Sequence, residues 1–351
     1  MTEVSIRGAD FYIDGKITYE GRYHAGRRIE GLLMNSRMVQ ATFDDELPET
    51  AGNWAYPDTG VWDPDRNTRE FIAMLPTYRK KGLLGITVGF QGGGSIYTKP
   101  LSDTYINSAF NWDGSLKPAY MARLAQVLDA ADKAGLVVIV NYFYWRQERF
   151  ESDDAVRRAT REATRWLLET GHRNIILDIK NEFRDQPGLL SGGGIHELIE
   201  IAKSETKDGR RLLVGSSSHA YIHLPCGPWM DMVDLFLPHG NDLPPRVFRE
   251  QLKMMKTSAT YLKNPRPICC NEDSIDLDNM EAAIEAGCSW GYYDQGYGCD
   301  EKQVKCDWAS RPRETSYADL SGFQTMPVNW SINTEHKHAF FDRLEAITGG
   351  L

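Results

Sequence analysis

The chain has 351 residues and a formal net charge of −9, with 41% apolar and 25% charged residues. That acidic balance argues against nucleic acid or an anionic membrane surface as a partner, and no apolar run reaches the roughly 18 residues that a membrane helix needs. The N-terminus lacks a basic segment leading into an apolar core, so no secretory signal is visible and a cytoplasmic location is expected.

Residues 11–18 place Asp14-Gly15 between two β-type runs, a strong hairpin signal. Strand one is expected over 31–34 and helix one over 68–81, with apolar Phe71, Ile72 and Leu75. Strand two follows over 82–90. Helix two covers 118–134 and stops at Gly135. Strand three spans 136–144, and helix three, 153–170, also stops at a glycine, Gly171. The run 175–182, Ile-Ile-Leu-Asp-Ile-Lys-Asn-Glu, reads as strand four and ends on Glu182. Helix four lies over 195–203 and strand five over 212–215, with only a weak helical signal at 229–233. Strand six, 235–239, ends on His239, and helix six covers 245–262. The run 267–272, Pro-Ile-Cys-Cys-Asn-Glu, reads as strand seven and ends on Glu272. Helix seven (277–286), strand eight (289–293) and a last helix (335–348) complete the series.

Eight strands, nearly all followed by a helix and apolar throughout rather than alternating, are the pattern of parallel strands covered on both faces. The expected fold is an α/β (β/α)8 TIM barrel, a single catalytic domain over 1–351 with 1–28 as an N-terminal hairpin extension. A doubly wound open sheet is the rival. It needs a Gly-rich phosphate turn after strand one, where Asn35-Ser36-Arg37 stands instead.

Glu182 and Glu272 each close a strand, at the barrel edge where active sites are built. Two carboxyl groups converging on one rim suit glycosidic bond cleavage. Three long connections, 35–67, 91–117 and 294–333, rise over the same rim and carry Trp54, Tyr56, Trp62, Tyr97, Trp112, Trp308 and Trp330. Such rings either stack on the apolar faces of sugars or give long loops small cores of their own. Asp178 and Lys180 share parity with Glu182, so an ion pair between them inside the barrel is expected. No His-x-His or His-Glu-x-x-His pattern suggests a catalytic metal, and no cofactor is expected. Cys269, Cys270 and Cys288 read as buried thiols, whereas Cys299 and Cys306 share a Gly-rich loop and are close enough in sequence to pair.

Asp178-Ile-Lys-Asn181-Glu182, the second Asn-Glu at Glu272, Ser289-Trp290-Gly on strand eight and the opening hairpin together resemble the retaining glycoside hydrolases of clan A, the cellulase-like barrel glycosidases. The resemblance is architectural over the whole chain and confined in sequence to these segments. It implies Glu182 as general acid/base, Glu272 as nucleophile and Asn181 on the sugar 2-hydroxyl. It further implies His239 and Trp290 as substrate contacts. Tyr142 and Tyr144, at the end of strand three, are expected to contact sugar or to donate to Glu272. Phe183 stands where cellulase-like members carry Pro, and Phe90-Gln91 and Asn141-Tyr142 stand where many members carry Arg on strand two and His on strand three. Arg37 is the candidate to replace that arginine.

The expected activity is therefore double-displacement hydrolysis of a β-type O-glycosidic bond, with a carboxyl separation of about 5–5.5 Å. The partner is an oligosaccharide or glycoside. The loop 294–333 is expected to wall one end of the cleft and favour exo action on a short saccharide. The alternatives are a non-catalytic carbohydrate- or partner-binding barrel and a sugar-acid lyase or isomerase.

Overall fold

The computed structural model describes residues 1–93, 104–184, 186–218, 227–241, 243–296 and 316–351. Five strands pair in parallel in chain order: Asn35–Arg37, Gly85–Gly89, Val137–Phe143, Ile175–Lys180 and Leu213–Gly215. Gly291–Tyr292 flanks Asn35–Arg37 on the other side. The remaining arc is made by Ser217–Ser218 beside Leu237–Pro238, then by parallel bridges from Phe236 to Ile268, from His239 to Glu272 and from Cys269 to Ser289. Parallel pairing thus runs all the way round, as the (β/α)8 barrel requires.

Helices Pro64–Lys80, Pro118–Ala134, Asp153–Glu169, Ile195–Ser204, Trp229–Met232, Pro245–Thr257 with Ala259–Lys263, Leu277–Glu285 and Glu335–Thr348 alternate with these strands. Val137–Phe143 and Ile175–Lys180 are buried at every position, because one face meets the helices and the other fills the barrel. Helix Pro118–Ala134 ends at Gly135, whose φ of 74° terminates it in the left-handed conformation. Helix Pro64–Lys80 begins earlier than apolar periodicity indicates. Asp63 accepts a hydrogen bond from the Arg66 amide and Pro64 occupies the first turn, so capping sets the start.

The first strand is displaced from its expected place at 31–34 to Asn35–Arg37. The barrel lining is polar there. The Asn35 side-chain amide donates to the carbonyls of Cys270 at 3.0 Å and Trp290 at 3.2 Å, tying the first strand to the seventh and eighth segments. Leu32 and Leu33, which supplied the apolar signal, lie in the core just before the strand.

Strands Val4–Arg7, Asp10–Ile13 and Lys16–Ile17 form an antiparallel sheet against the start of the barrel. The Val4 amide reaches the Arg173 carbonyl at 3.0 Å, and Phe11 N–H reaches Gly31 O at 2.9 Å. Asp14 and Gly15 have φ of 52° and 76°, the paired left-handed conformation of a two-residue hairpin turn. Gly15→Ala should cost about 1–2 kcal/mol from the left-handed backbone alone. Urea melts should show a lower midpoint at unchanged slope; an unshifted midpoint contradicts this account of the turn.

Candidate functional site

Chain direction carries the ends of the fourth, sixth and seventh strand segments and the first strand to one rim, and four charged side chains converge there. The Arg37 guanidinium is fully buried, with Nε 2.7 Å from Glu272 Oε2. Its Nη2 donates to Asn181 Oδ1 at 2.7 Å. Asn241 Nδ2 donates to the other oxygen of Glu272, Oε1, at 2.7 Å. His239 Nδ1 lies 2.9 Å from Glu182 Oε1 and 3.5 Å from Glu272 Oε2. One ligand atom from each of Glu182, His239 and Glu272 fits within a mutual spacing of 4.8 Å, so the two carboxylates face each other at close range.

Each group's charge state follows from its neighbours. Burial works most strongly against the Arg37 guanidinium, but Glu272, Tyr144 and Tyr293 together outweigh it and hold its pKa above the ordinary value. Burial likewise depresses His239, yet the charge of Glu272 and the hydrogen bond to Glu182 prevail, and its pKa is raised. The imidazole therefore favours a proton on Nδ1, pointed at Glu182. Tyr144, pushed up to about 12 chiefly by burial, and Tyr293, raised for the same reason, remain neutral. Their rings stand 5.5 and 5.7 Å from the Arg37 carbon Cζ.

Glu182 itself has a φ of 51°. A left-handed non-glycine residue costs on the order of 1 kcal/mol, so its surroundings must hold it. Its amide donates to Ser217 Oγ at 3.2 Å. The Ser217 hydroxyl and amide lie 2.9 and 2.8 Å from the carboxylate oxygens of Asp178, which also accepts from Asn271 Nδ2 at 3.2 Å. Asp178 thus links the turn bearing Glu182 to the strand end bearing Glu272. Its pKa is raised, mainly by burial.

Of the residues singled out from sequence, Glu182, Glu272, Asn181, His239, Arg37 and Tyr144 are brought together. Trp290 and Tyr142, also expected as substrate contacts, are not part of this cluster. Both are fully buried and face the helical layer. Trp290 Nε1 donates to Asp273 at 2.8 Å and its ring packs on Phe340. The Tyr142 hydroxyl meets Thr164 at 3.0 Å on helix Asp153–Glu169. Lys180 does not pair with Asp178: its ammonium meets Glu148 and the Asn181 carbonyl.

Sequence reasoning missed Tyr293 and Asn241. Parity places Tyr293 only once the structure shows which face packs outward: Trp290 and Tyr292 both pack on Phe340, so the ring one residue further on turns inward. Asn241 lies beyond the strand end and gave no signal.

The loop aromatics mostly pack on one another. Phe43 meets Trp54 at 5.2 Å and Trp62 at 5.5 Å, Tyr56 stacks on Trp62, and Trp330 packs against Phe71 at 4.8 Å. Trp112 is exposed. Tyr97, Trp308, Cys226, Cys299 and Cys306 lie outside the described residues. Cys269, Cys270 and Cys288 are buried free thiols.

Among the described residues, the one group with metal-ligand spacing is Glu182, His239 and Glu272. A cation there meets the Arg37 charge 2.7 Å from Glu272 and the Asn241 amide on its other oxygen. The arrangement suits a carboxylate held by donors better than a metal ligand.

No family model and no curated protein matches the sequence. Similarity emerges at the level of structure. A protein described as a glycoside hydrolase superposes with a TM-score of 0.52 at 13% identity, over 88% of this chain and 70% of that one. The GH5-4 broad-specificity endoglucanase from Clostridium longisporum gives 0.54 at 10%, over 90% and 97%. The glycoside hydrolase family 5 mannosidase from Rhizomucor miehei gives 0.53 at 10%, over 99% and 98%. At such identities the likeness establishes the (β/α)8 fold.

Asp273, next to Glu272, is spent on structure. It accepts from Trp290, Asn279 and Ser274, and burial raises its pKa to about 7. A carboxyl with a raised folded pKa adds stability that is complete below the ordinary aspartate value and is lost as pH rises through the folded one. Relative to Asp273→Asn, the parent protein should therefore lose up to roughly 4 kcal/mol between about pH 4 and pH 8, at 1.36 kcal/mol per pKa unit. Denaturant melts of both proteins across that range check this; parallel stability profiles contradict it.

Proposed function

We propose that this chain is a retaining glycoside hydrolase that cleaves a β-type O-glycosidic bond by double displacement. The observation carrying this reading is the facing pair Glu182 and Glu272, with one oxygen of each inside 4.8 Å of the other's. Inverting enzymes hold their carboxyl groups about 6.5–9.5 Å apart to seat a water between them, whereas retaining pairs are closer. In this reading the two carboxylates divide the labour. Glu272, flanked by Arg37 and Asn241, attacks the anomeric carbon. Glu182, in its protonated form, delivers its carboxyl proton to the departing oxygen as that C–O bond breaks. In the second half, Glu182 takes a proton from water, the water oxygen attacks the same carbon, and the ester to Glu272 is released. Asn181, oriented by Arg37, is placed in this scheme on the sugar 2-hydroxyl.

Exo action on a short saccharide forms part of the proposal. Its support is the returning limb of the loop after the eighth strand. Gln324 there donates to the Tyr144 hydroxyl at 3.3 Å and its carbonyl accepts from Gln40 at 2.9 Å, placing that limb beside the site.

Glu272→Ala should lower turnover by about 10⁴-fold or more on every substrate. Glu182→Ala should cost roughly 10²–10⁴-fold on sugar or alkyl leaving groups and far less on dinitrophenyl glycosides, which depart without a proton. Equal losses on both leaving-group classes remove Glu182 from the acid role, and a product of inverted anomeric configuration by NMR removes the retaining mechanism.

On a defined oligosaccharide series, early products should be single terminal units. A ladder of internal fragments at early times rejects the wall and the exo reading while leaving the chemistry untouched.

A further inference from the structure

One peptide unit at the site is gripped at both ends by residues that the proposed chemistry does not use. It joins Asn181 to Glu182. Its carbonyl accepts from Lys180 Nζ at 3.0 Å, and its N–H donates to Ser217 Oγ at 3.2 Å. Lys180 is buried, at 3% exposure, and its ammonium is also ion-paired with Glu148 from the loop after the third strand. Ser217 is buried and held against Asp178. A lysine so enclosed is constrained by its two oxygen partners, which fix where its charge sits. The peptide it grips is the one whose far side carries the left-handed Glu182, with φ of 51°. A rotation of that peptide would swing the Glu182 carboxylate away from His239 Nδ1, 2.9 Å distant, and would move the Asn181 side chain off Arg37.

We propose that Lys180, neutralised by Glu148, is a positioning residue that aims Glu182 by clamping the 181–182 carbonyl, with Ser217 as the opposing jaw. The clamp draws on two neighbouring segments: Glu148 belongs to the connection after Val137–Phe143, and Ser217 opens the strand Ser217–Ser218 that follows Leu213–Gly215. Glu182 is thereby referenced to both neighbouring strands of the barrel. The proposal rests on the reading of Glu182 as the acid/base.

The test compares Lys180→Met and Glu148→Gln with Glu182→Ala on two glycosides of one sugar, bearing a dinitrophenyl and an alkyl leaving group. A misplaced acid loses its effect only where a proton is needed. Lys180→Met should therefore lose about 100-fold in kcat/KM on the alkyl glycoside, the scale expected for a misplaced catalytic group, and less than about threefold on the dinitrophenyl one. Glu148→Gln keeps an acceptor on a partly exposed side chain (23%) and should shift in the same direction by a smaller factor. It also serves as the folded variant if Lys180→Met is unstable. If Glu182→Ala discriminates between the leaving groups while neither clamp variant does, the clamp is wrong and the acid/base reading stands. If Glu182→Ala itself does not discriminate, the reading beneath the proposal has failed.

Discussion

An arginine with no exposed surface cannot stand alone in a protein interior, and much of this molecule's upper barrel is organised around that constraint. Desolvating a guanidinium is costly unless an anion and further acceptors meet it, and removing one partner of such a buried pair typically costs about 3–5 kcal/mol. Arg37 meets Glu272 on one side and Asn181 on another, with the rings of Tyr144 and Tyr293 alongside. The first, third, fourth, seventh and eighth strand segments thus all contribute to housing one cation. The same arrangement sets the Arg37 Nε against the buried Glu272, the carboxylate proposed as nucleophile.

The second carboxylate is governed by backbone rather than charge. Glu182 stands on a left-handed residue just past the end of Ile175–Lys180, a conformation that local preference opposes and tertiary contacts must impose. Those contacts converge on Asp178. It is buried beneath the site, accepts from Ser217 by both amide and hydroxyl, and accepts from Asn271 beside Glu272.

The long connections show how apolar content and exposure part company. Phe43, Trp54, Trp62 and Tyr105 interlock at ring distances between 5.0 and 5.8 Å, which makes a small core beneath the loop after the first strand. Edge-to-face packing of this kind gives a long loop a defined shape. In such a loop an aromatic ring is as apt to be a strut as a sugar platform.

The sequence by itself determined the order of strands and helices, the hairpin at Asp14-Gly15 and the placement of Glu182 and Glu272 at strand ends. These are local properties: apolar runs, capping residues and turn chemistry act within a few residues of chain. It also marked His239, Asn181 and Arg37, because each follows or ends such a run. It did not reveal where the first strand begins, since a polar barrel lining at Asn35 and Arg37 erases the apolar signal. Nor did it distinguish Trp290 from Tyr293, where parity across a pleat, read against Phe340, sends one ring to the helices and the other to the site. Asn241, Glu148 and Ser217 were silent because their roles are pairwise contacts between segments distant in sequence. Which side chains meet is a consequence of closing the barrel, and only the tertiary structure decides it.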